Sequence, residues 1–132
     1  MKKVLCRWSP PVTWMGLIFF FSAQPDIPRA PGPWLDALLK KTGHALAYGI
    51  LAWLYLRALR WRRQPSVHLR VVSLGLALLY AASDEYHQTF VPGRNGTLWD
   101  VALDGAGACG AMLLDWQLRR RRASSRREFG AQ

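Results

Sequence analysis

The sequence predicts an all-α membrane protein: a small bundle of four transmembrane helices with both termini in the cytoplasm. Two observations support this prediction. Four apolar blocks are each long enough, at ~1.5 Å per residue, to cross ~30 Å of hydrocarbon, and basic residues are concentrated in alternate segments between them. The length of 132 residues is typical of one domain. An apolar content of 51% excludes a disordered basic chain, and two cysteines are too few for a disulfide-rich secreted module.

The first apolar block is the clearest of the four. It provides 18 uncharged residues between Arg7 and Asp26, including the run VTWMGLIFFFSA. The other blocks are residues 42–59, 69–88 and 97–118. Their longest uncharged stretches are 15, 13 and 10 residues, lengths that are also typical of buried helices in soluble proteins. A soluble helical bundle is therefore the alternative fold.

The distribution of basic residues favours membrane spans over that alternative. Of the 18 Lys and Arg residues, 14 lie before the first block, between the second and third blocks, or after the fourth block. Because short cytoplasmic loops retain Lys and Arg, this alternation predicts that both termini are cytoplasmic. Five tryptophans also fall near the ends of the blocks, as is typical of a membrane interface. They are Trp8, Trp34, Trp61, Trp99 and Trp116.

The net charge of +10 would also suit a nucleic-acid partner. The arginines flank the apolar blocks, however, where they act as orientation signals facing anionic lipid. We therefore expect the lipid bilayer as a partner and no nucleic acid. Residues 1–118 are predicted to form the four-helix domain, and residues 119–132 a basic, disordered cytoplasmic tail. A cleaved signal peptide is not expected, because Phe21 stands where a small residue is needed.

Polar residues of the four blocks are predicted to meet at the outer end of the bundle. Asp100 and Asp104 are four residues apart, as are His44 and Tyr48, so each pair shares a helix face. Ionisable groups at membrane depth are costly unless paired or hydrated, so a group of them facing inward indicates a functional site. The candidate residues are His44, Tyr48, Asp84, Glu85, His87, Gln88, Arg94, Asp100 and Asp104.

Two interpretations of this polar group remain open. It can hold a ligand or carry out chemistry, or it can be a hydrogen-bond network that positions the helices, with Arg94 paired to Asp100 or Glu85. Four carboxylates exceed what Arg94 and Lys41 neutralise. The excess favours entry of a proton, a metal ion or a cationic part of a ligand.

Individual residues in the group suggest different roles. Thr97 followed by Asp100 matches the start of a helix capping box. Asp104 has no capping role and is the better candidate for a proton carrier or a ligand. His44, facing the acidic residues, is a candidate base or metal ligand. No organic cofactor is expected, and the candidate metal ligands are His44, Glu85 and His87.

Turn and packing signals complete the predicted fold. The sequence PGRNG, residues 92–96, contains Pro-Gly and Asn-Gly turn signals and predicts a short connection between the third and fourth blocks. Small residues in the fourth block favour close helix contact. They are Gly105, Gly107, Cys109, Gly110 and Ala111.

The segment DEYHQTFVPGRNGTLWDVALDGAGACG, residues 84–110, resembles the VanZ-like family of small bacterial integral membrane proteins. The resemblance extends to Ser22-Ala23-Gln24 and to Lys41, His44, Tyr48 and Leu51. It implies a multi-pass protein of the bacterial cytoplasmic membrane, associated at the cell envelope with lowered susceptibility to the glycopeptide antibiotic teicoplanin. Many members carry an amide at the position of Asp104. By residue match, the resemblance implies functional roles for His44, Tyr48, Glu85, Gln88, Arg94 and Asp100.

Three functions are consistent with these residues. The first is binding of a lipid-linked envelope component or an amphiphilic antibiotic, with Arg94 contacting an anionic head group. The second is metal-assisted hydrolysis of an envelope phosphate or ester, although no nucleophile motif accompanies the candidate ligands and bases. The third is proton-coupled transport by a homo-oligomer, which is less favoured because the carboxylates lie at one depth. The hydrolase would use His44, His87, Glu85 and Asp84.

Overall fold

The part of the chain that the structure describes folds into four helices, as the sequence predicted. They follow one another in the order in which the apolar blocks occur, and the part of the chain that the structure describes has no β-strand. The all-α prediction is therefore confirmed. The helices are α1 (Lys2–Ser22), α2 (Pro33–Leu59), α3 (Val67–Gln88) and α4 (Leu98–Phe129).

A computed structural model provides this description. Some residues named in the sequence predictions lie outside its described part, notably Arg62 and Arg63 of the basic connection and Asn95 of the PGRNG turn. The described residues are 2–25, 31–60, 66–94 and 96–129.

Successive helices run antiparallel, so α1 and α3 end where α2 and α4 begin. Helix α2 packs most extensively against α4, and α3 packs against both. Helix α1 is attached to α2 by a hydrogen bond of 2.9 Å from Trp14 Nε1 to the Ala47 carbonyl. It is attached to α3 by a hydrogen bond of 2.7 Å from the Tyr80 hydroxyl to the Met15 carbonyl. This arrangement brings the end of α1 and the candidate polar residues of α2, α3 and α4 to one end of the bundle, here called the polar end.

Helices α2 and α4 approach so closely that only glycine fits at their crossing. A Cβ atom on Gly107 would collide with the backbone carbonyl of Ala45, and one on Gly49 would lie 3.1 Å from the carbonyl oxygen of Gly107. Small residues of this kind allow helix backbones to approach one another in membrane proteins. Gly105 contributes in the same way against α3, where its added Cβ would lie 2.7 Å from Leu78 Cδ2.

The opposite end of the bundle, here called the arginine end, carries a buried ion network. Asp115 on α4 accepts hydrogen bonds from Arg119 Nε, at 2.8 Å and 2.9 Å, and from Arg70 Nη2 on α3, at 3.2 Å. The sequence analysis did not single out Asp115, although its spacing of four residues from Arg119 is a recognisable helix pair. The network joins α3 to α4 at the end that the sequence assigns to the cytoplasmic side.

Among the described residues, two helical stretches are long and apolar enough to cross a membrane, judged by length and composition. They are Val4–Ser22 and Val67–Gln88, each with a mean hydropathy of 1.2. Large apolar side chains of α1, such as Phe20 and Phe21, are exposed, and an exposed apolar surface of this kind suits contact with lipid.

Two helix boundaries differ from the sequence predictions. Helix α2 begins at Pro33 rather than Thr42, because Pro stands at its first position and Asp36 lies in its first turn, both favourable at a helix start. Helix α4 continues to Phe129, so residues 119–129 are helical where the sequence predicted a disordered tail. Arg is a good helix former, its charge is favourable near a helix C-terminus, and the Asp115–Arg119 pair supports the extension.

The crossing of α2 and α4 gives a direct test of the packing. Gly107→Ala places a methyl group against the Ala45 carbonyl, so we expect it to lower the free energy of unfolding by about 1–3 kcal/mol. Gly110→Ala is the matched control on the same helix, because nothing lies within 4 Å of a Cβ atom there. The control should be neutral or slightly stabilising, since Ala is the better helix former. Thermal unfolding in detergent, followed by circular dichroism, measures both. Equal unfolding temperatures for the two variants would contradict the close approach.

Candidate functional site

A cavity of ≈ 280 Å³, here called the polar cavity, lies at the polar end between the start of α2, the end of α3 and the start of α4. Six of the nine candidate residues from the sequence line it. The lining carries both charge signs, with three basic and four acidic side chains. It consists of Pro25, Asp36, Ala37, Lys40, Lys41, His44, Glu85, Gln88, Gly93, Arg94, Asp100, Leu103 and Asp104.

Asp104 is the most deeply buried ionisable group of the polar cavity. Its side chain is 1% exposed, and neither carboxylate oxygen has a hydrogen-bond partner among the described residues. The nearest cationic candidate is His44, whose Nδ1 lies 3.7 Å from Asp104 Oδ2. Burial of a carboxylate without hydrogen bonds is unfavourable. Asp104 is therefore poised to interact with a proton, a cation or a donor that enters the cavity.

Asp84 Oδ2 and both Glu85 oxygens, by contrast, accept hydrogen bonds in a network that joins α1, α3 and the start of α4. The Ser22 hydroxyl donates to Asp84 Oδ2 at 2.7 Å. Gln88 Nε2 donates to Asp84 Oδ2 at 3.2 Å and to Glu85 Oε1 at 3.1 Å. The backbone N–H of Thr97 donates to Glu85 Oε2 at 3.2 Å. These bonds fit the interpretation of the group as a network that positions helices.

Thr97 caps helix α4, and Asp100 forms an ion pair across to α2. The backbone N–H of Asp100 donates to the Thr97 hydroxyl at 3.2 Å, and that hydroxyl donates to Asp100 Oδ2 at 2.6 Å. Lys41 Nζ donates to Asp100 Oδ1 at 2.8 Å. The capping role that the sequence indicated is therefore present. The partner of Asp100 is Lys41 rather than Arg94.

Arg94 holds the end of α1. Its Nη2 donates to the Phe21 carbonyl at 3.1 Å, and its Nε donates to the Gln24 carbonyl at 3.3 Å. Its Nη1 donates to Gln88 Oε1 at 3.2 Å. A cation here adds a partner to the Phe21 carbonyl, which also accepts from the Gln24 backbone N–H at 3.3 Å, and interacts favourably with the helix dipole. The expected pairing of Arg94 with Asp100 or Glu85 is thus replaced by a capping role on α1.

Tyr48 and His87 do not line the polar cavity. Tyr48 is buried deeper, one helical turn beyond His44, with its ring centroid 6.3 Å from that of His44. The Tyr48 hydroxyl and Asp84 Oδ1 are both buried, and neither atom completes a hydrogen bond within the described residues. His87 stacks against Phe19 of α1 with ring centroids 4.6 Å apart. Helix periodicity explains this outcome, because His87 follows Glu85 by two residues and so faces a different direction.

The structure brings together two of the three candidate metal ligands predicted from the sequence, with a different third residue. Ligand atoms of His44, Glu85 and Asp104 all lie within 4.8 Å of one another. Asp104 thus takes the place that the sequence analysis gave to His87, for the same reason of helix periodicity.

An apolar groove of ≈ 460 Å³ runs between α1 and α2 and adjoins the polar cavity. Asp36, Lys40, His44 and Arg94 line both the cavity and the groove. Beyond them the groove is almost entirely apolar. Its further lining is Trp14, Leu17, Ile18, Phe21, Ser22, Leu39, Gly43 and Ala47.

Sequence reasoning missed two residues that lie at this junction. Asp36 and Lys40 form an ion pair of 2.7 Å and line both spaces. Their spacing of four residues on one helix is a recognisable signal. An apolar block that begins at Thr42 leaves these charges outside the predicted helix, so the sequence prediction does not include them.

A helical bundle with two membrane-length apolar helices among its described residues, and with a polar cavity beside an apolar groove at one end, is typical of a small membrane protein. The family model described as VanZ/LLP1 matches residues 8–118. The chain therefore belongs to the VanZ/LLP1 family, and the resemblance found in the sequence is confirmed. Neither a curated protein nor a solved structure matches the chain.

The role of Arg94 on α1 gives a testable prediction. Arg94→Lys keeps the charge, but one ammonium group cannot reach the Phe21 and Gln24 carbonyls and Gln88 together. We expect a loss of about 1–3 kcal/mol of stability, and faster amide hydrogen exchange at residues 19–24. Arg121→Lys, at an exposed position of α4, is the matched control. Unchanged exchange at residues 19–24 would show that Arg94 does not hold the helix end.

Proposed function

We propose that this chain crosses the bacterial cytoplasmic membrane four times, keeps both termini in the cytoplasm and binds an amphiphile at its outer surface. Helices α1 and α3 have the length and composition of spans. Helix α2 is antiparallel to both and packs along them, and α4 is antiparallel to α3 and packs along α2 and α3, so all four would occupy the same depth. The arginine end would then face the cytoplasm, in agreement with the retention of basic residues on that side.

The observation that carries the proposed binding function is the junction of the polar cavity with the apolar groove. Asp36, Lys40, His44 and Arg94 line both spaces, so one molecule can place a polar head in the cavity and an apolar chain in the groove. Leu17, Phe21 and Leu39 of the groove are exposed on the outside of the bundle. In a membrane these side chains would face lipid, and an acyl or polyprenyl chain could enter sideways from the bilayer.

The basic residues at the cavity favour an anionic head group. The Lys40 and Lys41 side chains are 40% and 45% exposed, so both ammonium groups can reach an incoming ligand. Hydrogen bonds from such cations to phosphate oxygens are among the stronger ones in proteins. A phosphate-bearing, lipid-linked envelope component fits this pattern. The resemblance to a family associated with teicoplanin suggests this amphiphilic antibiotic as a second candidate ligand.

Two features favour binding over the other functions. Between Asp104 and Asp115, α4 provides only Gly, Ala, Cys, Met and Leu side chains, which do not relay protons. The polar cavity has no Ser, Thr or Cys in its described lining, so a covalent mechanism with a hydroxyl or thiol nucleophile gains no support.

Gly43 allows the apolar groove to be blocked without disturbing the helix. It lines the groove, and nothing lies within 4 Å of a Cβ atom built on it. Gly43→Leu should fill part of the groove and weaken binding of a polyprenyl phosphate by at least about tenfold, the loss expected when ~1.4 kcal/mol of chain contact is excluded. Native mass spectrometry or a radioligand assay on the purified protein in detergent measures this affinity.

Gly75→Leu is the matched control for the blocked groove. Gly75 lies on α3 away from the groove, and its Cβ position is equally open. This variant should bind as the unmodified chain does. The corresponding polyprenol without phosphate should bind more weakly than the phosphate, and teicoplanin serves as the second probe. The proposal fails if neither probe binds, or if Gly43→Leu and Gly75→Leu bind equally.

A further inference from the structure

Three helices each bring one metal-binding side chain to the inner part of the polar cavity. His44 comes from α2, Glu85 from α3 and Asp104 from α4, and their ligand atoms all lie within 4.8 Å of one another. We propose that these three residues bind a divalent transition-metal cation, with Zn²⁺ the ion that the donor set fits best. One imidazole nitrogen and two carboxylate oxygens match the ligand types of zinc sites, and the imidazole disfavours Mg²⁺ and Ca²⁺.

Asp104 supplies an observation that is independent of the clustering. Its side chain is 1% exposed and lines the cavity, and neither of its oxygens completes a hydrogen bond within the described residues. A carboxylate in this position needs a compensating positive charge. A cation held between Asp104, His44 and Glu85 would provide that charge.

The clustering of their ligand atoms separates these three side chains from the other carboxylates of the polar end. Asp100 is held by Lys41, and Asp84 accepts from Ser22 through Oδ2. Glu85 accepts from Gln88 and from the Thr97 backbone, an arrangement typical of second-shell groups that orient a ligand carboxylate. Each Glu85 oxygen accepts one bond there, so a lone pair remains for a metal.

The three ligand atoms need to move only slightly closer together to coordinate one ion. Donor atoms of a tetrahedral zinc site, with bonds of ~2.0–2.2 Å, lie about 3.3 Å apart. Side-chain rotations at His44 and Glu85 can supply this movement, because His44 is only half-buried and borders the open cavity. Three protein ligands would leave the fourth coordination position open.

The open position would face the space in which the head group is placed. This step alone rests on the amphiphile proposal. If that proposal holds, a phosphate oxygen of the amphiphile would complete the coordination of the metal. The cation site itself needs no amphiphile. It therefore extends the proposed function without depending on it.

Zinc binding to the purified full-length chain, without a polyhistidine tag, tests the proposal. The probe is Zn²⁺ alone, measured by isothermal titration calorimetry and by elemental analysis after dialysis. We expect one Zn²⁺ per chain, and affinities at least about tenfold weaker for His44→Gln and for Asp104→Asn. His68→Gln is the matched control, since His68 is exposed at the start of α3, far from the cavity in the fold. It should bind as the unmodified chain does.

Thermal unfolding distinguishes a lost site from a lost fold. Zn²⁺ should raise the unfolding temperature of the unmodified chain and of His68→Gln, because a ligand that binds only the folded state stabilises it. The unfolding temperature of Asp104→Asn should be insensitive to Zn²⁺. Without zinc this variant should be at least as stable as the unmodified chain, since an uncompensated buried charge is removed.

Two results would overturn the metal site. One is a folded chain that binds no Zn²⁺. The other is binding that His44→Gln and Asp104→Asn leave unchanged, which would assign the ion to other groups. Failure of the amphiphile proposal is seen separately, as equal polyprenyl phosphate binding by Gly43→Leu and Gly75→Leu, while the zinc measurements stand.

Discussion

The fold depends on placing carboxylates inside a bundle whose outer surface is apolar. Asp84, Glu85 and Asp104 are all buried at one end, and groups of this kind are tolerated only where partners surround them. Hydrogen bonds from Ser22, Gln88 and the Thr97 backbone supply partners to the first two carboxylates. Because these donors come from different elements, satisfying the carboxylates also fixes how the helix ends meet. Asp104 is the exception, because neither of its carboxylate oxygens has a hydrogen-bond partner among the described residues.

Two further constraints hold the helices in this arrangement. Gly107 lets α4 approach the Ala45 backbone of α2, which aligns His44 with Asp104 across the interface. Arg94 caps the end of α1 and also contacts Gln88, so the turn after α3 is tied to both the first helix and the polar network. The apolar groove between α1 and α2 therefore ends at charged groups. That juxtaposition is the basis of the proposal that the site binds an amphiphile.

The sequence was sufficient to predict four helices, the capping of α4 by Thr97 and Asp100, and the gathering of polar residues at one end. Those features follow from local patterns: apolar blocks, capping residues and the i, i+4 spacing of Asp100 and Asp104. The direction of His87, the attachment of Arg94 to α1 and the joining of cavity to groove were not predicted. They depend on which face of each helix contacts its neighbours. Neither the spacing of His87 from Glu85 nor the position of Arg94 at the edge of an apolar block determines that face.

Sidedness of the polar end tests the central claim most directly. In a chain with Cys6 and Cys109 replaced by serine, single cysteines at positions 34, 98, 67 and 125 can be labelled by a membrane-impermeant maleimide on intact cells. Positions 34 and 98 are exposed at the polar end, and 67 and 125 at the other. We predict that the reagent labels the first pair from outside, and the second pair only after permeabilisation. Labelling of position 67 from outside would contradict a four-span bundle with its polar end outside. Labelling of only one of positions 34 and 98 from outside would contradict it as well.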